Sequence, residues 1–194
     1  MYDPDIHHRR SARWHKHDYA SAGAYYVTIC VEGFQSLFGN VSAGVMNLNE
    51  AGRMVDSHWR AITARFPTMQ LDDWIVMPNH FHGIVHIAGT PFASAPKGAG
   101  RRPAPTLGDV IGSFKSLTTD GYIIGVRQLG WRGFERRVWE RNYYEHVIRN
   151  DDELDKIRQY IRHNPLMWTC DRYNPESAVL VINDTGELMP WEQG

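Results

Sequence analysis

Cysteine is scarce. Cys30 and Cys170 are the only two in 194 residues, and they form no zinc or redox spacing. A disulfide scaffold is excluded, and the expected state is two free thiols in a reducing cytoplasm. No apolar run approaches the ~18–20 residues that a membrane span needs. The longest, residues 23–31, is strand-sized. The sequence opens Met1-Tyr2-Asp3-Pro4-Asp5 and passes into a His/Arg cluster, without the apolar core of a secretory leader. A cytoplasmic location with no membrane partner is therefore expected. An excess of either charge is lacking too: 21 Lys and Arg stand against 22 Asp and Glu, a net charge of −1. With 42% hydrophobic and 22% charged residues, the composition excludes disorder and collagen and suits one domain of ordinary size.

The charge is unevenly spread. Residues 97–149 carry ten Lys and Arg against five Asp and Glu, and Trp131, Phe134, Trp139, Tyr143 and Tyr144 are interleaved among them. Basic and aromatic residues together suit phosphate binding and base stacking, as on single-stranded nucleic acid. The same pattern also describes a solvated surface over buried aromatics.

Residues 1–22 are polar and His-rich and read as an arm. Residues 24–31 read as a buried strand, and 38–46 as a short hairpin around Gly and Asn. Asn49 opens a helical pattern with Ala51, Met54, Val55, His58, Trp59 and Ile62, and Pro67 ends it. Residues 71–77 and 80–87 read as two strands joined at Pro78-Asn79. The Gly, Ala and Pro-rich stretch 88–106 reads as an inserted basic loop. Thr106 caps a second helix with Leu107, Val110, Ile111, Phe114 and Leu117 on its apolar side. Residues 126–149 read as irregular. Asn150 caps a third helix, Glu153 can complete a capping box, and Leu154, Ile157 and Ile161 form its buried stripe. A short strand at 178–182 and a polar tail follow. This order predicts an α+β fold with helices packed on one face of an antiparallel sheet.

Two spacings carry chemistry. His80 and His82 are i, i+2 on a strand, so both imidazoles point to one face and can reach one ion or one phosphate. Histidines buried and satisfied by hydrogen bonds fit that spacing as well. Tyr160 and Asn164 are i, i+4 on the third helix and share a face. Spacing alone equally describes a core-edge tyrosine and a helix-capping asparagine. Asp72 and Asp73 fall at the far end of the preceding strand, and His86 falls past the pair.

Taken together, residues 74–85 (WIVMPNHFHGIV), 138–149 (VWERNYYEHVIR) and 160–165 (YIRHNP) resemble the REP-associated tyrosine transposases of the HUH endonuclease superfamily. Residues 23–38 and 106–117 fit more loosely, and the similarity spans roughly 20–168, with the domain placed at 23–168 and 169–194 as an extension. The resemblance implies a ferredoxin-like sheet. It implies a metal-dependent endonuclease and strand transferase acting on single-stranded DNA with hairpin-forming repeats, as monomer or homodimer. It maps Tyr160 onto the nucleophile, His80, His82 and Asn164 onto the metal site, and magnesium or manganese onto the cofactor. Lys115, Trp139, Arg141, Tyr143 and Arg149 are the expected DNA contacts. A non-cutting module for single-stranded nucleic acid, and a water-using metallohydrolase with His80, His82 and His86 as ligands, are the rival readings.

Overall fold

The computed structural model describes residues 22–88 and 105–177. The expectations for the arm, for the bulk of the inserted loop (89–104), and for the strand at 178–182 with its tail lie outside the described residues. The chain runs β1 (Gly23–Cys30), β2 (Gly39–Ser42), β3 (Val45–Leu48), α1 (Glu50–Arg65), β4 (Met69–Val76), β5 (His80–Ile87), α2 (Leu107–Leu129), β6 (Tyr144–Ile148) and α3 (Asp151–His163). The helices begin at side-chain caps. Asn49 Oδ1 accepts from the Gly52 N–H at 2.8 Å, and Thr106 and Asp109 form a reciprocal capping box. Asn150 Oδ1 accepts from the Glu153 N–H at 2.8 Å. The Glu153 carboxylate reaches one residue further back than a capping box requires. It accepts from the Arg149 N–H at 2.6 Å and meets His146 Nε2 at 2.8 Å.

Four strands form an antiparallel sheet in the order β4-β5-β1-β6, and β2 and β3 form a separate hairpin. With α1 and α2 as crossovers, β1-α1-β4-β5-α2-β6 is the ferredoxin-like arrangement. The expected α+β class is the class found. α1 and α2 share one face, where Trp59, Phe81 and Phe114 pack ring to ring with centroids 4.6–5.2 Å apart. The third helix corrects the one-face expectation: α3 covers the opposite face. There Ile157 and Ile161 close over Tyr26, Ile84 and Ile148 in a second, smaller apolar cluster. The first face is already filled, so the α3 stripe finds its burial only on the second.

Two further differences concern the stretch expected to be irregular. α2 runs twelve residues beyond Leu117 and ends at Gly130, whose φ of 69° is the left-handed cap that glycine adopts without cost. Residues 144–148 are a strand, β6, paired with β1 from Ala24↔Ile148 to Thr28↔Tyr144. One irregularity positions the next element. Between Leu71 and Trp74, β4 carries one residue more than β5 opposite it, a β-bulge holding Asp72 and Asp73. The bulge lets two consecutive carboxylates reach one helix: Asp72 takes the Arg158 guanidinium at 2.6 and 2.9 Å, and Asp73 pairs with Arg162 at 2.7 Å.

Candidate active site

β5 and β1 build the floor of the site. Thr28 stands opposite His82 and Cys30 opposite His80, so Tyr26, Thr28, His80 and His82 share the face that α3 covers. Both histidines are fully buried, and their ring centroids are 4.5 Å apart. His82 Nδ1 lies 2.7 Å from Tyr26 Oη and 2.9 Å from Thr28 Oγ1, and Thr28 Oγ1 donates to Tyr26 Oη at 3.0 Å. His80 Nδ1 lies 2.9 Å from Asn79 Oδ1.

Asn79 fixes the state of His80. Its side-chain amide donates to the Phe34 carbonyl at 2.9 Å and the Tyr173 carbonyl at 2.6 Å. Both donors are thereby spent, and Oδ1, which can only accept, is what faces His80. His80 therefore donates from Nδ1 and carries its lone pair on Nε2. For His82, an Nδ1–H given to Tyr26 or Thr28 has the same consequence. Burial drives both imidazoles neutral. His80 is pulled down to about 3, burial first, with Asn164 opposing and Arg172 adding to the fall. Burial likewise holds His82 well below the usual histidine range, with His80 and Arg172 contributing.

α3 supplies the other side. Tyr160 and Asn164 stand one turn apart, beside the buried Ile157 and Ile161. The Tyr160 ring meets the His82 ring at 5.4 Å and the Tyr26 ring edge-on at 6.4 Å. Burial pushes the Tyr160 phenol up to about 12. The Asp171 charge adds to the rise, and Arg172, Asn164 and Tyr26 oppose it. The segment after α3 closes the site: the Tyr173 ring packs at 4.8 Å from His80 and 6.3 Å from His82, and Asp171 Oδ2 lies 3.9 Å from His80 Nε2.

Among the described residues, three buried atoms of this site meet no hydrogen-bond partner: His80 Nε2, His82 Nε2 and Asn164 Oδ1. An unpaired buried acceptor is costly, and three converging in one site could together hold a cation. Two neutral imidazoles and an amide oxygen fit a divalent ion. Among the described residues no group of three or more His, Cys, Asp or Glu is placed to hold a metal, so an all-His and carboxylate site is not formed there. His86 is engaged elsewhere, with Nε2 2.8 Å from Asp72 Oδ2. With no such group formed among the described residues, His86 does not join His80 and His82 as the metallohydrolase reading requires.

The expected DNA contacts lie in two places. Lys115, Trp139, Arg141 and Tyr143 gather at the end of β1, where the Glu140 N–H donates to the Cys30 carbonyl at 2.9 Å, opposite His80. Lys115, Trp139 and Arg141 line a cleft of about 280 Å³ there. The Lys115 ammonium is turned inward and donates to the carbonyls of Glu140, Arg141 and Asn142 at 2.9, 3.3 and 3.0 Å. Burial lowers its pKa to about 8. Trp139 is 3% exposed and donates its indole N–H to Thr118 Oγ1 at 2.9 Å, as a core residue does. Tyr143 is half-buried with Lys115 Nζ 5.4 Å from its ring, and Arg141 is exposed. Arg149 is exposed at the other end of the edge strand, just before α3.

Asn79, Tyr26, Thr28, Asp171, Arg172 and Tyr173 were not among the expected site residues. For Tyr26 and Thr28 the signal was available, since they share the i, i+2 spacing of the histidines on the neighbouring strand.

The arrangement defines a class: a ferredoxin-like sheet with two open imidazoles and a tyrosine on one face. No protein-family model matches the chain. It is 34% identical over 177 residues to an uncharacterized protein of Haemophilus influenzae, spanning 88% of this chain and 96% of that one. The two proteins belong to one family. Among solved structures, the chain is similar to a REP-associated tyrosine transposase bound to a REP hairpin. The TM-score is 0.54 at 16% identity, covering 79% of this chain and 73% of that one. The fold is thus that of a REP-associated tyrosine transposase. No described helix is long and apolar enough to cross a membrane.

Proposed function

We propose that this protein cuts and rejoins single-stranded DNA at hairpin-forming repeats, with Tyr160 as the nucleophile. The observation that carries the reading is the set of three partnerless lone-pair atoms, His80 Nε2, His82 Nε2 and Asn164 Oδ1, beside the Tyr160 ring. His80, His82 and Asn164 would hold the divalent ion, magnesium or manganese. When bound, that ion supplies positive charge to an anionic phosphodiester.

Each residue has a task. Asn79, Tyr26 and Thr28 keep the imidazoles oriented and their Nε2 lone pairs free. The apolar stripe of α3 holds Tyr160 against the sheet. At neutral pH Tyr160 is a phenol, so its proton must leave for solvent as the Oη–P bond forms. The P–O3′ bond breaks and the 3′ oxygen takes up a proton. The products are a 5′-phosphotyrosine and a free 3′-OH. The covalent link keeps the energy of the broken ester, so attack by another 3′-OH rejoins the strand without a nucleotide cofactor.

The test is covalent trapping on labelled hairpin oligonucleotides drawn from the intergenic repeats of the source genome, with manganese. A protease-sensitive adduct is expected with wild type and absent from Tyr160→Phe and His82→Ala. Binding without any adduct would replace the reading by a non-cutting module. Cleavage that survives Tyr160→Phe would overturn the nucleophile assignment.

A further inference from the structure

Arg172 is a cation at the edge of the site, and among the described residues no carboxylate forms a direct ion pair with it. Its guanidinium carbon sits 4.9 Å from the centre of the Tyr173 ring, and Nη2 donates to Tyr173 Oη at 3.2 Å. Among the described residues that is its one hydrogen bond. The neighbouring Asp171 is tied to its own backbone, Oδ1 accepting from the Tyr173 N–H at 2.7 Å, and feels the Arg172 charge without a direct ion pair.

Its prop is rigid. Tyr173 is fixed through its carbonyl by Asn79, stacks on Phe34 at 5.9 Å, and lies on His80 and His82. Asn79 therefore links two things by one side chain: the orientation of His80 and the perch of Arg172. The Arg172 charge lies within electrostatic reach of Tyr160, His80 and His82. A planar fork of donors held over an aromatic ring, with its other N–H groups unspent, suits two oxygens of one phosphate.

We infer that Arg172 is the phosphate clamp of this site, binding the non-bridging oxygens of the phosphodiester that Tyr160 attacks. The inference rests on the transferase reading and adds a residue to it. As Tyr160 Oη closes on phosphorus and the P–O3′ bond opens, Arg172 makes no covalent bond and moves no proton. It holds the two non-bridging oxygens, which keep their negative charge while O3′ takes the electrons of the bond that breaks.

The test compares wild type, Arg172→Ala and Arg172→Lys in single-turnover adduct formation. The probe is the hairpin oligonucleotide, with phosphate or methylphosphonate at the mapped scissile position. Arg172→Ala is expected to slow the phosphate substrate about 100-fold. Arg172→Lys and added guanidinium salt should each restore part of that loss. The methylphosphonate, one charge poorer, should react equally with wild type and Arg172→Ala. An unchanged rate in Arg172→Ala, or a loss that neither lysine nor guanidinium repairs and that affects both substrates alike, overturns the clamp.

A second measurement separates the clamp from the transferase reading. The Arg172 Nε–H resonance is followed on adding the thymidine dinucleotide, the smallest single-stranded phosphodiester, and its methylphosphonate analogue. A shift with the phosphodiester alone supports the clamp even if no adduct forms on any hairpin. No shift with either overturns it, whatever the fate of Tyr160.

Discussion

At the scale of single residues, the site depends on which nitrogen of each imidazole carries its proton. Asn79 decides this for His80, because both its N–H groups are spent on the carbonyls of Phe34 and Tyr173. Asn79→Ala frees the His80 ring to rotate and to exchange tautomers. The expected result is a 10–100-fold weaker affinity for manganese by calorimetry, the usual cost of losing a group that orients a ligand. Tyr26→Phe should do less, since Thr28 Oγ1 at 2.9 Å still faces His82 Nδ1. A Tyr26→Phe loss as large as that of Asn79→Ala would mean that Tyr26 alone orients His82. That His80 and His82 share one face of a strand, and Tyr160 and Asn164 one face of a helix, was legible in the sequence, because a two-residue period on a strand and a four-residue spacing on a helix fix which side chains lie together. The role of Asn79 was not. It depends on carbonyls 45 and 94 residues away, and no local pattern carries such distances.

At the scale of elements, the β4 bulge is what ties α3 to the sheet. Asp72 and Asp73 reach Arg158 and Arg162, one helical turn apart, and Tyr160 lies between those arginines in sequence. The partly exposed pair Asp72–Arg158 contributes about 1 kcal/mol after allowance for solvent screening. Asp72→Asn should therefore lower Tm by about 3 °C in a chain of this size. It should slow adduct formation more than that small loss implies, because it loosens the helix that holds the nucleophile. The same pair predicts an acid response. The Arg158 guanidinium, with help from His86 and the Asp73 N–H against the opposing effect of burial, holds the Asp72 carboxyl below the usual carboxylate range. A depressed folded-state pKa gives stability that is present above the unfolded value of ~3.9 and is lost as pH falls below it. Thermal melts of wild type and Asp72→Asn should converge between pH 4 and more acidic solution and stay apart above it. A gap that persists undiminished in acid would mean the carboxylate charge is not what anchors α3. The strands β1, β4 and β5 and the caps at Asn49, Thr106 and Asn150 were readable, since propensity and capping are local. β6 was not, because a short edge strand of mixed polarity takes its conformation from pairing with β1.

At the scale of the whole molecule, one sheet separates two apolar clusters of unequal size and unequal task. The order of elements gave the class of fold. It did not say that α3 crosses to the second face, because an amphipathic stripe states only that it must be buried, not against which surface. The division has a testable consequence. Val55 and Ile157 are both fully buried, the first under α1 in the larger cluster, the second under α3 in the smaller. Truncating Val55 to Ala should cost roughly 1–3 kcal/mol and Ile157 to Ala about 2–4 kcal/mol, from lost transfer energy and the cavity left behind. Only the second loss lies beneath Tyr160. Measured well below both melting temperatures, Val55→Ala should keep the wild-type rate of adduct formation and the wild-type affinity for manganese. Ile157→Ala should lose rate through the displaced nucleophile, and its affinity for manganese should fall as Asn164 shifts with the same helix. Equal losses in the two variants would mean that the sheet transmits strain from one face to the other, and that the site is not an autonomous feature of the α3 face.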